Sequence, residues 1–121
     1  MATASGHTDA ILVSRVIGTN VYDANGEQVG EIKDVVLKKA SNGVMFAVIG
    51  FGGILDIGEK YCAVPWSSLD YDDDAGGYVV PFSKDQMESA PHYSVSEMTK
   101  DDGVPARDQA YDHYGVQPYW Q

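Results

Sequence analysis

The side chains of this 121-residue chain best equipped for chemistry are one cysteine, three histidines and a cluster of aspartates. Asp70, Asp72 and Asp74 alternate like the first ligands of a calcium loop, and Asp73 adds negative potential. The pattern then breaks, because Ala75 stands where such a loop needs glycine and Pro81 where a bidentate glutamate closes the shell. The segment reads first as a solvated acidic hairpin, with Asp70, Asp72 and Asp74 as weak divalent-metal candidates. His7, His92 and His113 lie far apart, with neither H-E-x-x-H nor C-x-x-C beside them. His92, following Pro91, suits a surface or interface position. Cys62, between Tyr61 and Ala63 in an apolar run, reads as a small buried hydrophobe and not as a nucleophile. In Gly50-Phe-Gly-Gly-Ile-Leu55, leucine takes the place of the third glycine of a dinucleotide fingerprint, and neither a phosphate loop nor G-x-S-x-G follows. These patterns assemble no catalytic centre and imply no cofactor.

Composition narrows the partners. A formal net charge of −10 sets up a field that repels phosphate backbones and anionic lipid surfaces. Lys38-Lys39 is the only adjacent basic pair. A lone cysteine allows no intramolecular disulfide and fits a reducing compartment. The opening MATASGHTDAILVSRV lacks a basic segment followed by a long apolar one, and no stretch approaches the roughly 20 apolar residues of a membrane span. The expectation is a soluble, cytoplasmic single domain that touches neither nucleic acid nor membrane.

The elements that must position these groups are mostly strands. From Ile11 to Ser83, short apolar runs alternate with glycine and asparagine, the spacing of an all-β meander or barrel. Thr19 to Asp23 ends a strand, and Asn25-Gly26 reverses the chain. Glu27 to Lys39 has ambiguous periodicity. It is assigned as a strand, since Gly30 would cost a helix about 1 kcal/mol but marks a bulge or close backbone approach in a sheet. A bulge also accounts for the slip in alternation near Asp34.

Asn42-Gly43 repeats the turn signal. Val44 to Phe51 is then apolar on both faces, so one face fills a barrel and the other needs a helix, a tail or a second subunit over it. Lys60 to Leu69 reads as the next strand, with Pro65 confining its end to an edge or bulge. Asp72 to Gly77 forms a turn and Tyr78 to Phe82 returns. Ser83 with Gln86 resembles a capping box for a helix Lys84 to Ala90, stopped by Pro91. Beyond it the chain is acidic yet rich in aromatics. Pro105 suits a first helical position and Gly115 a C-terminal cap, so Ala106 to Tyr114 forms a short helix with Ala106, Ala110, Tyr111 and Tyr114 on one side.

In this order, "IGTNVYDANGEQVGEIKDVVL", "MFAVIGFGGILDIGEKYCAVPWSSLDYD" and "GGYVVPFSKDQMESAPHY" resemble a PRC-barrel domain over roughly residues 11–93. The family takes its name from the cytoplasmic domain of the photosynthetic reaction-centre H subunit and includes the C-terminal domain of a ribosome-maturation factor. The resemblance implies a small, partly open antiparallel β-barrel with a short helix after its last strand. It also implies docking to other macromolecules in place of turnover. This chain has no transmembrane helix like the first relative and no preceding domain like the second, so it looks like a stand-alone bacterial barrel.

Residues 1–10 then form a flexible N-terminus, 11–93 the barrel and 94–121 an aromatic, acidic extension. Gly50, Gly52, Gly53 and Gly58 have a backbone role in a tight connection, with Pro65 and Trp66 ending the strand that follows. The expected function is a non-catalytic protein-binding or assembly module that self-associates as a homodimer. Phe46, Val48, Tyr111, Tyr114, Tyr119 and Trp120 are its interface residues. The alternative is a barrel responsive to a small ligand or divalent metal through residues 70–74.

Overall fold

The computed structural model describes residues 10–50 and 61–120. Among them are six strands, β1 (Asn20–Tyr22), β2 (Gln28–Lys38), β3 (Gly43–Gly50), β4 (Tyr61–Val64), β5 (Asp70–Asp72) and β6 (Gly77–Val79), in one sheet of order β4-β3-β2-β1-β6-β5. Short helices α1 (Val13–Val16), α2 (Lys84–Glu88) and α3 (Val95–Met98) accompany a longer α4 (Val104–Tyr114). The expectations for Gly52, Gly53 and Gly58, for His7 and for a flexible start through residue 9 lie outside the described residues.

The first turn is organised by a buried carboxylate. Asp23 is 2% exposed, and its Oδ1 accepts from the backbone N–H groups of Asn25 and Glu27, each at 2.9 Å. Gly26 takes the left-handed conformation at φ 84°, which costs glycine nothing. At the second turn it is Asn42 that enters this region, with φ 60°. The long strand is β2 as expected, and its pairing with β3 slips between Ile32 and Asp34, where the alternation of residue types slips.

Two expectations need correction. The sheet is mixed, since β1 and β6 run parallel while all other pairs are antiparallel. The expected strand Lys60 to Leu69 is also broken: its described part holds β4 and a 3-10 turn at Trp66–Ser68, and β5 begins beyond it at Asp70. Pro65 cannot donate to a ladder, so pairing stops there. The bend redirects the chain without the reversal a hairpin would make. Four reversals then separate β1 from β6, so the two point the same way and pair in parallel where β6 returns beside β1. The returning strand is also shorter than Tyr78 to Phe82, ending at Val79.

The core has two compartments separated by β3 and β4. Ala47 and Ile49 of β3 join Cys62 and Val64 of β4, Val21, Ile32, Val80 and Met87 on one side. Phe46 and Val48 join Ala63, Met98, Ala106 and Ala110 on the other. The chain's own extension therefore covers the second face, as α4 lies against β4. Helix α4 carries the expected stripe, with Ala106, Ala110, Tyr111 and Tyr114 buried, and begins two residues earlier than expected with Pro105 in its first turn.

Between α3 and α4, Asp101, Asp102 and Gly103 are left-handed in succession, at φ 51°, 61° and 78°. This conformation costs a non-glycine residue about 1–2 kcal/mol. Asp101→Gly relieves that strain but gives the unfolded chain more freedom, so a net stabilisation of at most about 1 kcal/mol is expected in urea denaturation. A loss of similar size would show that the aspartate side chain anchors the turn.

Candidate docking surface

Three surfaces are built by this framework. The first is an apolar ridge on α1. Val16 of that helix is buried at 2%, whereas Leu12, Val13 and Ile17 are 66%, 43% and 43% exposed. Val13 and Ile17 are four residues apart and so share a side, while Val16, three residues from Val13, lies beside them and turns into the core. The sequence reading missed this element, although the four-residue spacing of two apolar residues was its available signal.

The second surface is the acidic hairpin of β5 and β6. A cavity of about 990 Å³ is lined there by Ser67, Tyr71, Asp70, Asp72, Asp73 and Asp74, among others. Asp72 Oδ1 accepts from the N–H groups of Asp74 at 2.9 Å and Ala75 at 3.4 Å, so this carboxylate serves the turn. No group of three potential metal ligands comes together among the described residues, and Asp70, Asp72 and Asp74 do not converge as a coordination shell. Beneath the hairpin, Tyr78 meets Tyr71 edge-on at 5.4 Å and Trp66 at 6.0 Å. Trp66 thus packs, partly buried, against the first core compartment.

The third surface is the end of the extension. Gly115 ends α4 at φ 65°, and the N–H of Val116 reaches back to the Tyr111 carbonyl at 3.0 Å. This cap turns the chain so that Tyr119 and Trp120 fold against Tyr111, at centroid distances of 5.8 and 4.8 Å. Arg107, only 8% exposed, places its guanidinium carbon 3.6 Å from the centre of the Trp120 ring. Its Nε and Nη2 also donate to Asp108 Oδ1, at 3.1 and 3.0 Å. Nothing in the sequence flagged Arg107, because arginine is rarely buried without a partner and that partner lies thirteen residues away.

The expected interface residues therefore divide. Phe46 at 0% and Val48 at 3% are core, closed off by α4, and offer a second chain no surface. Tyr114 is buried too, stacked on Phe82 at 4.3 Å, and Tyr111 is 4% exposed. They pack inward because the tail supplies the cover that β3 needed. Only Tyr119, at 49%, and the half-buried Trp120 remain accessible.

The nucleophile-bearing groups are structural. Cys62 is fully buried, its thiol 3.7 Å from the Met87 carbonyl. His113 Nε2 lies 2.8 Å from the carbonyl of Gln86 and ties α4 to α2. Burial pushes the Cys62 thiol from the ordinary 9.0 up to about 12, and burial likewise raises the Tyr114 hydroxyl. A group raised on folding favours the fold while it stays protonated. Stability is therefore expected to be full below about pH 9 and to fall as the pH rises towards 12, measured as the urea midpoint against pH. In the same experiment Cys62 should resist alkylation until urea unfolds the chain. Rapid labelling of the native protein would contradict its burial.

No helix among the described residues is long and apolar enough to cross a membrane. No curated protein matches the chain. A family model for the PRC-barrel domain matches residues 8–87, which take in all six described strands and all but the last residue of α2. With a match over more than half of its length, on a mixed sheet wrapped round an apolar core, the chain belongs to the PRC-barrel family.

Proposed function

We propose that this chain is a non-catalytic protein-binding and assembly module of the PRC-barrel type, which self-associates as a homodimer in the cytoplasm. The observation that carries the reading is the exposed ridge of Leu12, Val13 and Ile17, held outward by the burial of Val16. Three large aliphatic side chains within six residues keep contact with water that a symmetric partner would remove, at about 25 cal/mol for each Å² covered. A stable interface needs about 800 Å² from each partner, so the ridge forms the apolar centre and neighbouring polar surface the rim. The four carboxylates near the β5–β6 hairpin give the module a sign on another side and favour cationic segments of a further protein.

Light scattering during size exclusion tests the dimer. The expected mass is twice the 13.1 kDa of the chain, and Leu12→Asp with Ile17→Asp should return it to the single-chain value with the melting temperature little changed. A single-chain mass at every concentration of the unaltered protein would refute self-association.

A further inference from the structure

Strand β2 runs from Gln28 to Lys38, but β1 pairs with it only from Gln28 to Glu31. Ile32 is engaged next, for its carbonyl accepts from the Gly18 N–H at 2.7 Å and its own N–H donates to the Thr19 carbonyl at 2.9 Å. From Lys33 to Lys38 the strand has β3 on one side and, among the described residues, no strand on the other. Backbone N–H and C=O groups along such an edge are open to another strand. One of them is met locally, since the Val35 N–H donates to Asp34 Oδ1 at 2.8 Å. Asp34 is exposed, Leu37 is 58% exposed, and Val35, Val36 and Lys38 are half-buried. Neither Asp34 nor Lys38 has an ion-pair partner among the described residues.

We propose that this edge pairs antiparallel with the same edge of a second copy of the chain, about a two-fold axis at Val36. The run Asp34-Val35-Val36-Leu37-Lys38 is complementary to itself in that register. Asp34 faces the partner's Lys38 at both ends, Val35 faces the partner's Leu37, and Val36 faces its own counterpart. A slip of one residue destroys the match, setting Lys33 against the partner's Lys38 in one direction and Val35 against that lysine in the other. Two chains of net charge −10 repel each other, so an edge that brings opposite charges together twice selects where they meet. On pairing, the Val35 N–H exchanges the Asp34 carboxylate for a carbonyl of the partner, which frees that carboxylate for the partner's Lys38. The proposal rests on the self-association argued above and supplies its geometry. The chain leaving α1 is tied to Ile32, where the open edge begins, so the ridge of Leu12, Val13 and Ile17 adjoins the paired strands. At the far end the 3-10 turn Lys39–Ser41 carries each chain off the edge, which confines the pairing to this stretch.

Sedimentation equilibrium of the full chain at low ionic strength gives the dimer dissociation constant. Asp34→Lys and Lys38→Asp, each alone, should raise it at least about tenfold by setting like charges face to face at both ends. The double variant Asp34→Lys with Lys38→Asp exchanges the two signs and should bring the constant back to within about threefold of the unaltered chain. Val36→Cys should form an intermolecular disulfide on mild oxidation, because opposed residues of an antiparallel pair have Cα atoms about 4.5–5.5 Å apart, within disulfide range. The unaltered chain, whose Cys62 is buried, should form none. A dimer indifferent to both single changes, a double variant as weak as the single ones, or Val36→Cys without the disulfide would each overturn the strand pairing and leave self-association standing. A single-chain mass at every concentration would overturn both.

Discussion

A chain ending at residue 93 is expected to lose cooperative unfolding and to bind hydrophobic dyes under native conditions. Such a deletion removes α3 and α4, and with them Met98, Ala106 and Ala110 from above Phe46, Val48 and Ala63. It also removes Tyr114 from Phe82 and the His113 contact to Gln86. Each large apolar side chain returned to water costs about 1.5–3 kcal/mol. Phe46, Val48 and Phe82 together then approach the whole stability of a small domain, about 5–15 kcal/mol. The family match ends at residue 87, so the deleted part is an addition to the domain that has become part of its core. Circular dichroism in urea, alongside dye fluorescence, reads the result. A truncated chain with the urea midpoint of the full protein would show that the barrel stands without its cover.

The second large effect is expected from one methyl group at Gly30. A Cβ there would lie 2.3 Å from the carbonyl oxygen of Gly50 and 3.1 Å from its carbon, both backbone atoms of the adjacent strand. Side chains can turn away from such a clash, but a paired strand cannot. Gly30→Ala should therefore lower stability by about 2–3 kcal/mol, through separation of β2 from β3 where their pairing holds the two core compartments apart. Gly77→Ala poses the same problem, 2.4 Å from the Asn20 carbonyl oxygen across the parallel β1–β6 pair. Gly43→Ala is the control. Its Cβ would meet nothing nearer than Ser41 Oγ at 3.5 Å, and a change within about 0.5 kcal/mol is expected. Equal midpoints for Gly30→Ala and Gly43→Ala would mean that the strands have room to move.

The glycine effect was half legible from the sequence. Gly30 in an apolar strand announced a bulge or a close approach, and both are present, the slip at Ile32/Asp34 and the contact with Gly50. Turns were legible for the same reason, since Gly26 and Asn42 tolerate backbone angles that other residues resist. The α4 stripe and its Gly115 cap were legible because helix ends follow local chemistry. The ridge on α1 was not read, because a helix of one turn leaves a single pair of apolar residues four apart as its whole periodic trace. The place of β6 beside β1 escaped as well, since that pairing joins strands more than fifty residues apart in the chain.

What the sequence determined by itself was local: which segments extend, where they turn, which helix is capped, and that β3 needs cover on both faces. Those features depend on backbone angles and side-chain alternation over a few residues. Only the tertiary structure decided what the cover would be. Phe46 and Val48 had equal use for a second subunit or for α4, and the covering helix came from the same chain. The Arg107–Trp120 contact was decided in the same way. A residue pattern states how much apolar surface must leave water, but the partner that removes it is chosen by the path of the whole chain in space.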